Sequence, residues 1–169
     1  MLSLPLRETL QDWHYHMLKD DVRNKAYARA ITSAVNRLDS PTTFDLGTGC
    51  GILAMIARGA GAHSVVGAEC VQHIAKTARD VLAKNRVDRV DVLRCNVAEL
   101  AGMNHFSLVI AELMDFGGLG ENIIRMAQHA QQHLMPPSGE RQMIPARLRL
   151  MASAGCYSVG DVGGDQLVV

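Results

Sequence analysis

The chain has 169 residues, 17 Lys and Arg against 17 Asp and Glu, and 48% hydrophobic residues of which very few are aromatic. A length of this order predicts one domain with a sizeable core and excludes a two-domain enzyme, and the scarcity of rings requires that core to be aliphatic, filled out by Ala and Met. Zero net charge removes any overall electrostatic footprint for nucleic acid or anionic lipid, so neither partner is expected.

The chain opens MLSLPLRETLQDW, with no basic stretch leading into an apolar run, and no segment approaches the roughly 18 consecutive apolar residues of a membrane helix. A soluble cytoplasmic protein is expected, with a nuclear location as the alternative. Over residues 23–38, Tyr27, Ile31, Ala34 and Leu38 recur at helical spacing, and Ser40-Pro41 ends the segment. Residues 43–46 form a short apolar strand that runs into Gly47-Thr48-Gly49-Cys50-Gly51, and residues 52–60 read as a helix closed by Gly61. A second strand over 64–68 stops at Glu69, and the next helix presents Val71, Ile74, Ala75, Ala78, Val81 and Leu82 on one face. Strands follow at 90–95 and 106–111, the latter apolar throughout as suits a strand covered on both faces. Ile123, Ala127, Ala130 and Leu134 mark a helix stopped by Pro136-Pro137, and Leu148, Leu150 and Ala152 alternate with Arg147 and Arg149 as a final strand would. Alternating strands and helices predict an α/β fold with a mostly parallel sheet and right-handed crossovers.

In such a sheet ligands bind beyond the carboxyl ends of the strands, and the glycine loop at residues 45–51 follows the first strand. Glu69, closing the second strand 20 residues after Gly49, can accept hydrogen bonds from both hydroxyls of a ribose. A nicotinamide dinucleotide fits poorly, because its fingerprint needs Gly or Ala at the sixth position, where Ile52 stands. Asp45 before the loop would repel a pyrophosphate and suits a cationic ligand. S-adenosylmethionine, with an ammonium and a sulfonium, meets these conditions.

Over residues 13–152 the sequence resembles the protein arginine methyltransferases, within the class I S-adenosylmethionine-dependent methyltransferases. Asp45, Gly47, Thr48, Gly49 and Gly51 match their first motif, and Gly67-Ala68-Glu69-Cys70 matches their ribose-binding strand end. His14-Tyr15-His16-Met17-Leu18-Lys19-Asp20-Asp21-Val22-Arg23, followed by Tyr27, resembles the family's helical lid. The resemblance implies a Rossmann-like sandwich in which Arg23 takes the cofactor's methionine carboxylate through a bidentate contact, His14 lies near the ribose and Met17 near the sulfur. In residues 94–100 it implies adenine contacts from Asn96, the amide of Val97 and Glu99, with Ala98 where the family commonly has an acid.

Glu112 and Glu121 stand nine positions apart across a glycine-bearing loop after a central strand. Such a pair suits an arginine acceptor: the guanidinium stays protonated, its charge is delocalised, and two carboxylates gripping the fork can aim the third nitrogen at a methyl group. The loop resembles the family's double-glutamate loop, with Asp115 and Phe116 in place of the commoner Gly and Tyr. The predicted function is methyl transfer from S-adenosylmethionine to a guanidino nitrogen of a protein with an accessible arginine. Two alternatives stay open, a class I methyltransferase for another nucleophile and a non-catalytic cofactor-binding module.

Residues 1–152 are expected to form the cofactor-binding domain with its lid, and 153–169 a tail, a linker or the start of a barrel. The family's β-barrel with its Thr-His-Trp segment is not recognisable, so the chain reads as a fragment or a short homologue, and an open sheet edge predicts either self-association, as in a homodimer, or marginal stability. His129 and His133 sit one helical turn apart without a third ligand, and solvent-facing histidines are expected instead of a metal site. Cys50, Cys70, Cys95 and Cys156 show no CxxC spacing and are expected as reduced thiols.

Overall fold

A computed structural model describes residues 12–114 and 120–149, with the backbone alone for residues 12–15. The helices are α1 (Asp12–Lys19), α2 (Asp21–Arg37), α3 (Ile52–Gly59), α4 (Gln72–Lys84) and α5 (Ile123–His133). The strands are β1 (Thr42–Leu46), β2 (Ser64–Glu69), β3 (Val90–Arg94), β4 (Leu108–Ala111) and β5 (Gln142–Ile144), with a short 3-10 turn at Val97–Glu99. All pairings are parallel and the strand order is β3-β2-β1-β4-β5. The predicted α/β Rossmann-like architecture is therefore the observed one, and the strand order reverses beside β1, between β1 and β4. Among the described residues no helix is long and apolar enough to cross a membrane.

The period of two along each strand builds two core layers. Leu108 and Ile110 of β4 and Val65 of β2 face α2 and α3, where Ile31, Ala34, Val35, Leu53, Ala54 and Ala57 close over them. Phe44 and Leu46 of β1, with Val109 and Ala111 of β4, face the opposite layer, which holds Ile123, Ala130 and Leu134. There Phe44 and Phe106 meet edge to face with ring centroids 4.9 Å apart, an arrangement the ring quadrupoles favour. Small residues let the helices approach: Ala75 and Ala78 of α4 are fully buried against Val92 of β3.

Local chemistry sets the boundaries. The second helix starts at Asp21, not Arg23, because the carboxylate of its N-cap Asp20 accepts from the Arg23 backbone amide at 2.9 Å and caps the first turn. Phe106 lies outside β4 because its amide donates to the Leu134 carbonyl at the end of α5, and Cys95 lies just beyond β3. The expected last strand is not where the alternation placed it. Residues 147–149 belong to no strand and Leu148 is exposed, while the sheet gains Gln142–Ile144. Three residues are too few for a period-two signal, and Pro145 has no N–H with which to continue the ladder. Leu150, Ala152, Cys156 and the expected tail at 153–169 lie outside the described residues.

The loop after β1 is seated on β2. Thr48 packs directly over Gly67, where a Cβ would lie 2.7 Å from Thr48 Oγ1 and 2.8 Å from its Cβ. Gly67→Ala should therefore lower the unfolding free energy by about 1–3 kcal/mol, read by urea titration; unchanged stability would show that the loop does not depend on this seat.

Candidate active site

A cavity of about 700 Å³ opens beyond the carboxyl ends of β1, β2, β3 and β4, at the switch in strand order. Its wall includes Met17, Arg23, Gly47, Thr48, Gly49, Glu69, Cys70, Asn96, Val97, Glu112 and Glu121. Of the other predicted site residues, Asp45 lies beneath the loop and not on the wall, and the His14 side chain is outside the described residues. Glu99 is exposed and does not border the cavity.

The loop folds back by its own backbone, the Thr48 amide donating to the Ala68 carbonyl at 2.9 Å and the Gly51 amide to the Thr48 carbonyl at 2.8 Å. Gly47 is required by its φ of +65°, and a Cβ there would also press on Leu113 Cδ2 at 2.7 Å, the tip of a side chain that can shift. Glu69 holds the loop from the side. One carboxylate oxygen accepts from the Gly49 amide at 3.2 Å and the other from the Val71 amide at 2.8 Å, so a single side chain joins the glycine loop to the start of α4. Cys70 follows it into the cavity, its thiol pushed up by burial and by the Glu69 charge. Across the floor, the Asn96 side chain accepts from the Ala98 amide at 3.1 Å and shapes the 3-10 turn, and Val97 is buried.

At the other end of the cavity Arg23 and Glu112 form an ion pair, Nη2 to Oε2 at 2.6 Å, with side chains only 16% and 13% exposed. Arg23 Nη1 donates to Asn24 Oδ1 at 2.8 Å, and the guanidinium lies 5.6 Å from the centre of the Tyr27 ring. Tyr27 in turn donates its hydroxyl to the carbonyl of Ala111 at 3.1 Å, fixing α2 to the residue before Glu112. Burial, then the Glu112 charge, hold the Tyr27 hydroxyl well above the ordinary tyrosine range, so it remains a donor. Arg23 Nε is buried and has no protein partner. Glu121 stands exposed on the rim, one residue before the N-cap of α5. Residues 115–119 of the loop between the two glutamates, Asp115 and Phe116 among them, lie outside the described residues.

Two connections escaped the sequence. Tyr27 was legible as a helix core position and as part of the lid signature, but its bond to Ala111 was not, and nothing in the spacing flagged Asn24. The paired histidines also differ from expectation: His129 Nε2 lies 2.8 Å from the Leu100 carbonyl and its ring is half-buried against His133, so it closes a backbone gap where solvent was expected. Among the described residues no cluster of three or more metal-ligating side chains occurs.

Asp45 is 1% exposed; one of its oxygens accepts from Thr48 Oγ1 at 2.7 Å and the other is buried without a partner. Burial pushes its carboxyl from about 3.8 up to about 7, against the Thr48 hydrogen bond and the Arg23 charge. Between those values the folded chain holds a proton that the unfolded chain has released, so this group's contribution to stability is greatest below about pH 4 and is lost as pH rises to about 7. Asp45→Asn should remove that slope. In ligand-free urea titrations, the stability of the variant relative to wild type should rise from about pH 4 to about pH 7; a constant difference would place the titration elsewhere.

Comparison with known proteins puts this geometry in a family. A family profile described as "Ribosomal protein L11 methyltransferase (PrmA)" matches residues 29–140. Protein arginine N-methyltransferase 9 of Mus musculus is 38% identical over 131 residues, covering 75% of this chain and 15% of that protein. Arginine N(omega)-methyltransferase of Streptomyces achromogenes subsp. streptozoticus is 31% identical over 151 residues, covering 85% of this chain and 40% of that protein. The fold also matches the Trypanosoma brucei PRMT1 enzyme-prozyme heterotetrameric complex with AdoHcy, with a TM-score of 0.69 and 29% identity over 77% of this chain and 40% of that one. The chain thus spans well under half the length of these relatives. The L11 profile begins after Met17 and Arg23, whereas the arginine methyltransferases extend over more of the chain. With the arginine methyltransferases agreeing in both sequence and fold, the chain belongs to the protein arginine methyltransferase family of S-adenosylmethionine-dependent methyltransferases.

Proposed function

We propose that the chain binds S-adenosylmethionine in this cavity and directs its methyl group to a guanidino nitrogen of a protein arginine. The observation that carries the reading is the polarity of one continuous cavity. At one end stand the glycine loop and Glu69, which suit a nucleoside, and at the other Arg23, Glu112 and Glu121, which suit an amino-acid carboxylate and a guanidinium. A cavity of about 700 Å³ lies within the usual range for cofactor sites. The buried, unpartnered Nε of Arg23 offers a charged donor to a carboxylate, and the bare backbone of Gly47 and Gly49 admits close approach. Glu69 Oε2 keeps a lone pair beside its Gly49 contact, and Oε1, which accepts from the Val71 amide, can take a second ribose hydroxyl in place of the weak Cys70 thiol contact at 3.7 Å.

When bound, the cofactor supplies an electrophilic methyl carried on a sulfonium. Glu112 accepts from the acceptor's guanidinium with the capacity left beside its Arg23 contact, and Glu121 grips it from the rim. Together they concentrate the positive charge on the held nitrogens, raise the nucleophilicity of the third and fix its line of attack. Methylation leaves the product guanidinium singly charged and releases one proton, which solvent-exposed Glu121 can pass to water. The low net charge means that attraction for basic substrates is local to this pair. Assembly into a homodimer belongs to the same proposal, supported by the heterotetrameric state named for the Trypanosoma relative.

A second acceptor, free arginine, is favoured by the likeness to the Streptomyces arginine N(omega)-methyltransferase, since the same carboxylates would hold the same guanidinium. Calorimetry should show binding of S-adenosylmethionine, weakened at least tenfold in Glu69→Ala through lost hydrogen bonds; an absence of binding by wild type would reject the reading. Transfer of labelled methyl to an arginine peptide should fall by roughly a hundredfold in Glu112→Gln. Transfer to free arginine alone would select the second acceptor, and transfer unaffected by Glu112→Gln would remove the glutamates from the reaction.

A further inference from the structure

Arg23 is held at two corners. Glu112 takes Nη2 at 2.6 Å, and Asn24, its neighbour in the chain, takes Nη1 at 2.8 Å. The Asn24 carboxamide does a second thing at the same time: its Nδ2 donates to the Leu18 carbonyl at 3.0 Å and to the Met17 carbonyl at 3.4 Å. These carbonyls lie in the last turn of α1, where a helix leaves its final four without intrahelical partners. The orientation of the amide follows from its neighbours, since a guanidinium requires the oxygen and two carbonyls require the nitrogen. Half-buried Asn24 is thus the side chain through which the end of α1, with Met17 and Leu18 on the cavity wall, meets the guanidinium of Arg23.

We propose that Asn24 is a positioning residue for cofactor binding: it locks Arg23 to the lid helix, so that the ligand's carboxylate meets a guanidinium already oriented and a lid already in place. The proposal rests on the cofactor reading above. Without the carboxamide, the guanidinium swings about its remaining Glu112 contact, and the Leu18 carbonyl in the last turn of α1 loses its side-chain donor while Met17 keeps only the Asp20 amide at 3.2 Å. The cost falls on the amino-acid half of the ligand and leaves the adenosyl half untouched, because preorganisation is lost at one end of the cavity only.

That asymmetry is the test. Calorimetric titrations of wild type, Asn24→Leu and Asn24→Asp would use S-adenosylhomocysteine and 5′-methylthioadenosine, which shares the adenosyl thioether but has no amino-acid group. Asn24→Leu should weaken S-adenosylhomocysteine about tenfold, as loss of a hydrogen bond to a charged group does, with 5′-methylthioadenosine unchanged. Asn24→Asp keeps an acceptor for Nη1 but loses both donors and sets a negative charge against the Leu18 and Met17 carbonyls. It should weaken S-adenosylhomocysteine at least as much, and it carries the comparison should the leucine variant not fold. Equal losses for both ligands, or none for S-adenosylhomocysteine, would overturn the proposal while leaving cofactor binding established. A wild-type chain that binds neither ligand would overturn the cofactor reading and this proposal together.

Discussion

The parallel pairing of β1 with β2 on one side and β4 on the other governs everything at the site. Both neighbours run in the same direction, so the carboxyl ends of three adjacent strands finish at one level, and the loops that leave them must diverge to opposite faces of the sheet. The cavity is the gap left by that divergence. Side-chain alternation then decides what reaches it: Phe44, Leu46, Val109 and Ala111 are committed to one hydrophobic layer, which leaves the residues just past each strand end, Gly47, Cys70, Cys95 and Glu112, to form the wall.

Around and beneath that gap the electrostatics are arranged by depth. Asp45 lies deepest and is raised toward neutrality by burial, whereas the Arg23–Glu112 pair sits higher, partly solvated and directly matched in charge. A half-buried ion pair is a weak source of stability, because desolvation offsets much of the attraction. Its value here is positional: it fixes a carboxylate at the end of β4 and a guanidinium on α2, and Tyr27 reinforces both through the ring below Arg23 and the hydrogen bond to Ala111.

Much of this was legible in the sequence, for identifiable reasons. The glycine loop, Glu69 and the buried strands follow from short-range rules, because a positive φ, a strand-end carboxylate and an unbroken apolar run each leave a local mark. Arg23, Met17 and Glu112 came from family resemblance, and the structure brings them to one wall. Unreadable were the contacts that join distant segments: that Arg23 meets Glu112, that Asn24 bridges Arg23 to α1, and that His129 turns inward to Leu100. The three-residue β5 was also invisible, since its strand character comes from pairing with β4 and not from any pattern of its own.

The two ends of the cavity are held by links of very different reach. Glu69 closes onto Gly49 across 20 positions, within a single β1-α3-β2 unit, whereas Arg23 closes onto Glu112 across 89. Loop-closure entropy and the need for an assembled sheet make the long link the later one to form and the earlier one to open. The Glu69 end therefore belongs to a compact local folding unit, and the Glu112 end is a property of the whole domain. Under the proposed function, partial opening would leave a chain that still cradles an adenosyl group but has let go of the carboxylate assigned to the acceptor, so that recognition of the cofactor would outlast competence to use it.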